Sequence, residues 1–212
     1  DGEWLYGHNW VTLAWLATHP RWGVIAMPLR SMLYVREVDV PKLAEKYGWE
    51  FRTKHQLGVE LLSWFMQSIR VLGVKAKVWL AVDGAYAARP FLRPVLEMNI
   101  VVVSRLRKDA RLFDLPSEGS HGNRIYGHNQ ISLAKRAGHR QGWQTITYHC
   151  RGVEVTRQYK TFLATSRLVG GQIRVVMIRF EDGGWAPYFC TDPSAPVRDI
   201  LEAAAARWAI EE

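Results

Sequence analysis

Two short apolar runs constrain this chain more than anything else in it. Residues 78–82 read VWLAV and stop at Asp83-Gly84, a turn pair; residues 100–103 read IVVV. Runs of this length without polar alternation mark strands buried on both faces of a sheet. Residues 90–98, opened by Pro90, read as the helix between them. The chain is thereby directed to an α/β fold, a mixed sheet with helices on both faces. Asp83 then ends a central strand, at the edge where open α/β sheets collect ligands. An Asp-Gly turn is common, however, so the acid alone decides little.

The flanking segments extend this reading. Residues 9–18 and 22–34 are rich in aromatic and β-branched residues around His19-Pro20-Arg21, and so predict an antiparallel hairpin. Residues 40–54 suggest a short helix and a loop. Residues 55–72 space Leu57, Leu61, Trp64, Phe65, Ile69 and Leu72 as an amphipathic helix closed by Gly73. Residues 105–142 have little periodicity. Residues 144–150, 153–165, 173–180 and 185–190 then alternate as four strands joined by glycine turns. Residue 192 opens a final helix running to Ile210, with Asp192 or Ser194 as its cap and Pro196 in its first turn. Three parts follow: 1–104 as the first part of the core, 105–190 as a basic segment with a β-rich insertion, and 191–212 as the closing helix. Tyr6-Gly-His8-Asn9 recurs as Tyr126-Gly-His128-Asn129, but two copies do not make a repeat architecture. Hydrogen bonding is the expected role of both histidines.

The 212 residues include no apolar run near membrane-spanning length and no charged-then-apolar leader. Cys150 and Cys190 fall in separate strands and suit a reducing cytoplasm. Net charge is +8, and its placement is informative. Residues 104–168 hold twelve Lys or Arg against four Asp or Glu, while the remaining sixteen of each cancel. A basic segment on a neutral chain points to a polyanionic partner, most simply nucleic acid. Arg105, Arg107 and Lys108 follow the second apolar strand and should emerge near Asp83. Lys135, Arg136, His139 and Arg140 make a second cluster, with Trp143 beside it. Trp143 or Trp185 could stack on an unpaired base.

Glu211 lies 128 residues beyond Asp83, on the closing helix. If that helix packs beside the strand, the two carboxylates can share Mg²⁺ or Mn²⁺, hard ions that take few protein oxygens and complete their shells with phosphate. A solvated helix-end role for Glu211 remains open on spacing alone. No Cys-x-x-Cys, phosphate-binding glycine loop or nucleophilic triad competes.

Several stretches resemble the DDE transposases of bacterial insertion sequences, of the DDE superfamily endonuclease type. They are residues 82–92 (VDGAYAARPFL), 103–109 (VSRLRKD), 131–137 (ISLAKRA), 189–193 (FCTDP) and 207–211 (RWAIE), in family order along most of the chain. The resemblance implies an RNase H-like core with a β-rich insertion, Asp83 as second acid, Glu211 as third, and Arg207 as a supporting cation. Ala204 stands where related families often have tyrosine. It further implies Mg²⁺-dependent cleavage and strand transfer of double-stranded DNA ends, a homodimeric assembly, and a bacterial, nucleoid-associated setting. The first acid of the family would precede Tyr6, and neither Asp1 nor Glu3 substitutes well. Asp1 and the final Glu211-Glu212 read as ends cut through structure. The 212 residues alone are therefore expected to be inactive. A non-catalytic nucleic-acid-binding remnant, or an RNase H-like nuclease of another lineage, are the alternatives.

Overall fold

The computed structural model describes residues 7–117 and 124–210. Two compact units divide the chain, Asp1–Trp15 with Ala26–Lys75, and Leu16–Ile25 with Ala76–Glu212. No helix among the described residues is long and apolar enough to cross a membrane.

The strands β1 (Asn9–His19) and β2 (Gly23–Tyr34) form a two-stranded sheet of their own. The sequence order suggested that this hairpin would join the mixed sheet. Within the first unit its aromatic and basic side chains meet a helix instead. Trp15 lies 6.1 Å from Phe65, and the Arg30 guanidinium lies 5.2 Å from the Trp64 ring. Those partners belong to α2 (Lys54–Val71), which follows α1 (Val40–Tyr47). Helix α2 starts with a reciprocal cap. Thr53 Oγ1 accepts from the Gln56 amide, and Gln56 Oε1 accepts from the Thr53 amide. Gly73, at φ 70°, closes it.

The second unit is mixed α/β. Strand β3 (Trp79–Val82) runs parallel to β4 (Val101–Arg105), with α3 (Arg89–Glu97) between them in sequence. Val102 and Val103 are fully buried, as an apolar run on a two-sided sheet requires, whereas β3 is only half-buried and ends the described strand order instead of lying at its centre, so Asp83 closes an edge strand. The long strands β7 (Gln144–Cys150), β8 (Val153–Ser166), β9 (Gly171–Arg179) and β10 (Trp185–Cys190) match the four alternating runs closely. They do not form a separate insertion sheet. Strand β10 pairs antiparallel with β4, Tyr188 opposite Arg105 and Cys190 opposite Val103, so core and meander are one sheet. The short strands β5 (Leu112–Phe113) and β6 (Gln130–Ile131) complete the order β3-β4-β10-β9-β8-β5-β6, with β7 beside β8.

Residues 105–142 thus contain more order than their periodicity suggested, including α4 (Leu133–Gly138), capped by Ser132. The second Tyr-Gly-His-Asn copy has a structural role here. Asp114 accepts from the backbone and side chain of Asn129, and a Cβ on Gly127 would fall 1.8 Å from Asp114 Oδ1. Glycine is required there because the chain closes directly onto that carboxylate. In the first copy, Gly7, His8 and Asn9 are exposed, and Tyr6 lies outside the described residues.

Helix α5 (Val197–Ala206) covers one face of the sheet through Ile200 and Leu201, against Val101, Val103, Val176 and Ile178. Its cap differs from expectation. Pro196 is the N-cap, while Asp192 accepts from Ser194 N and Oγ in a tight turn. Lys77 Nζ reaches the other Asp192 oxygen at 2.6 Å, tying the start of β3 to the end of β10. These bonds hold the Asp192 carboxyl down to about 2. The α-helical pitch also stops early, since Arg207–Ile210 is a 3₁₀ turn.

Candidate nucleic-acid interface

Asp83 follows β3 directly, and its Oδ1 accepts from Ala85 N at 2.9 Å, capping the 3₁₀ turn Gly84–Tyr86. This local bond turns the chain sharply and leaves the side chain 57% exposed. The carboxylate lines a cavity of about 520 Å³ at the carboxyl ends of β3 and β4. Arg105 enters it from the last position of β4, Arg107, Lys108 and Asp109 from the segment after β4, Tyr188 from β10, and Ala204, Arg207 and Trp208 from the closing helix and its 3₁₀ turn.

Arg207 bears most on Asp83. Its Nη1 lies 3.9 Å from Asp83 Oδ2, and its side chain is only 16% exposed. The 3₁₀ turn that follows the closing helix therefore delivers a largely desolvated cation to the strand-end acid. Arg105 stands beside Tyr188 in the ladder, and burial raises the Tyr188 hydroxyl above its ordinary pKa, with Arg105 and Arg207 pulling the other way. That hydroxyl stays protonated near neutrality and able to donate. Arg107 makes two bonds of 3.0 Å to Asp109, whose carboxyl they lower, and the Lys108 ammonium lies 4.8 Å from the Trp185 ring.

The second cluster lies elsewhere. Along β8, side chains alternate between faces. Phe162, which carries the Arg136 guanidinium at 4.0 Å, faces opposite to the side covered by α5. Lys135, Arg136, His139 and Arg140 are exposed on or just after α4. Trp143 is not presented as an open stacking platform. Its ring has Lys160 at 4.8 Å and Arg179 at 4.2 Å, and its Nε1 donates to His139 O. Lys160 also donates to the Arg136 and His139 carbonyls, and Arg179 to that of Ala137. Burial, then Arg179 and Arg136, lower the Lys160 pKa. The site residues read from the sequence thus divide between two faces of one sheet.

Among the described residues, no three or more His, Cys, Asp or Glu come together as a metal site. In the Asp83 cavity the second carboxylate, Asp109, is held by Arg107, and Arg207 approaches Asp83 itself. That donor set, surrounded by cations, does not fit a divalent ion by itself. Glu211, the expected partner ligand, lies outside the described residues.

Sequence reasoning passed over Tyr188, Trp208 and Arg151. Arg151 and Tyr188 help line a second cavity of about 250 Å³, which shares Arg105, Tyr188, Ala204 and Trp208 with the first. The Trp208 ring has the Arg207 guanidinium at 4.4 Å and that of Arg151 at 4.8 Å. Their available signal was local: Trp208 adjoins Arg207, and Arg151-Gly152 is a two-residue turn between alternating strands. No protein-family model matches the chain, and no curated protein matches it.

Proposed function

We infer that this chain is a DNA-binding domain of the DDE transposase kind, in which the Asp83 cavity receives a backbone phosphate of a DNA end. What supports the reading is one juxtaposition. A strand-end carboxylate shares a 520 Å³ cavity with Arg105, Arg107, Lys108 and Arg207, contributed by segments far apart in sequence. The parallel β3–β4 pair, joined through α3, is compatible with the RNase H-like core that this reading adopts. Phosphate binding follows from elementary charge: one cation from the end of β4, two from the loop after it and one from the closing turn line the same cavity, and guanidinium groups grip phosphate oxygens in pairs. Tyr188 supplies a neutral donor at the cavity wall. In the family resembled, Mg²⁺ or Mn²⁺ activates the attacking water or 3′-hydroxyl. No step through such an ion is assigned to the residues described here.

The test is binding to a DNA duplex across a salt series. Affinity should fall steeply with salt, because each phosphate neutralised releases counterions. Arg207→Ala should weaken binding, whereas Asp83→Ala should preserve or strengthen it by removing a carboxylate that competes for Arg207. Affinity indifferent to salt sinks the reading. A non-catalytic binding domain is the second reading, favoured by the cations that accompany both described carboxylates, Arg107 on Asp109 and Arg207 beside Asp83. Nicking of DNA that requires Mg²⁺ and disappears in Asp83→Ala would decide for the enzyme.

A further inference from the structure

Among the described residues, two that are not glycine hold positive φ: Asn99 at 60° and Arg151 at 52°. Asn99 sits just past α3, and asparagine tolerates this region well. Arg151 has no such tolerance. Cys150 pairs with Val153, so Arg151-Gly152 is a two-residue hairpin loop, and Gly152 is at φ 76°. Positive φ at both positions defines a type I′ turn, whose first position favours Asn, Asp or Gly. Local strain of this kind persists only where the surrounding structure over-determines it, and it clusters at functional sites.

The guanidinium of Arg151 indicates the use. It lies 4.8 Å from the Trp208 ring, which also has Arg207 at 4.4 Å, and Arg207 adjoins Asp83. The two guanidinium carbons are thus no farther apart than those two distances laid end to end, a span suited to neighbouring phosphates on one strand. Arg151 also lines the second cavity, which shares Arg105, Tyr188 and Trp208 with the first as lining residues. Resting on the phosphate-binding reading of the Asp83 cavity, we propose that Arg151 is a further phosphate-contacting residue. A nucleic-acid strand leaving that cavity passes over Trp208 and sets its next phosphate on the turn between β7 and β8. The strained turn holds the cation at that exit, where a relaxed Asn-Gly turn would offer none.

Arg151→Asn separates this role from simple packing, because asparagine suits the turn and carries no charge. Expected are a thermal midpoint unchanged or raised by up to about 4 °C, and a salt slope for duplex DNA shallower by about 0.9. Affinity at moderate salt should fall by roughly 3- to 10-fold. Arg151→Lys, which keeps the charge in the same turn, should retain most of the slope. If Arg151 merely packs on Trp208, Arg151→Asn will lower the midpoint and leave the slope as it was, which overturns the proposal. Arg107→Ala and Lys108→Ala serve as controls within the first cavity. Loss of slope in these controls, with none in Arg151→Asn, refutes this inference alone. A wild-type chain with no salt-dependent affinity refutes the cavity reading together with it.

Discussion

The two faces of the large sheet use the same cationic residues differently. Beside α5, Arg105, Arg107, Lys108 and Arg207 line an open cavity, even though Arg107 and Arg207 each have a carboxylate neighbour. Beside α4, Lys160 and Arg179 donate to three carbonyls at the end of a six-residue helix and flank Trp143. That helix is too short to be stable alone, so cations at its C-terminal carbonyls do structural work. Local positive charge density is therefore a poor guide to which cations remain for a partner. What marks the α4 face is that its cations bond backbone carbonyls of the helix end itself.

The contrast can be broken by mutation. The largest expected effect is at Lys160. Lys160→Met keeps the aliphatic stem but strips two carbonyls of a charged donor, at a cost of about 2–3 kcal/mol in stability. Thermal denaturation should report that loss while DNA affinity changes little. The reverse pattern is expected of the double variant Arg107→Ala/Lys108→Ala: roughly 10- to 100-fold weaker duplex binding, a salt slope shallower by about two, and an almost unchanged midpoint. If both variants behaved alike, the distinction between the faces would be lost.

Asp192 sharpens the comparison from outside both clusters. Its folded-state carboxyl lies at about 2, below the ordinary 3.8, chiefly through Lys77 and Ser194. A depressed carboxyl stabilises the fold fully above pH 3.8 and loses that contribution as pH falls towards 2. Asp192→Asn should therefore cost about 1–2 kcal/mol near neutrality, the exposed Lys77 end being screened by solvent, and progressively less as pH falls through about 2. Chemical denaturation of both proteins across that range measures the difference. The smallest effect belongs to Trp143→Phe, which keeps a ring between the two cations but removes the donor to His139 O. About 1 kcal/mol of stability should go, with the DNA salt slope intact.

Much of the architecture was legible in residue order. The apolar runs before Asp83 and before Ser104 became the parallel pair β3 and β4, and the four alternating runs became β7 to β10 within a residue or two. Periodicity of two or of 3.6 is a local property, readable without knowing the fold. The short pieces escaped because two residues cannot display a period. Strands β5 and β6 exist through pairing with β8 and with each other. Helix α4 is likewise held by cations from β8 and β9. The cap of α5 escaped because Asp192 accepts from Ser194 in a turn and from Lys77, a partner 115 residues away, leaving Pro196 as the N-cap.

By itself the sequence determined that an acid would close an apolar strand, that a basic surplus would gather in residues 104–168, and that strands would dominate the second half. Only the tertiary structure decided that β10 would pair with β4 and merge core and meander into one sheet. Only it brought Arg207 to Asp83, turned the α4 cluster to the opposite face, and set Arg151 on Trp208. The division has a simple cause. Strand propensity and net charge are sums over neighbours in the chain, whereas pairing, face and desolvation depend on residues brought together from scores of positions away.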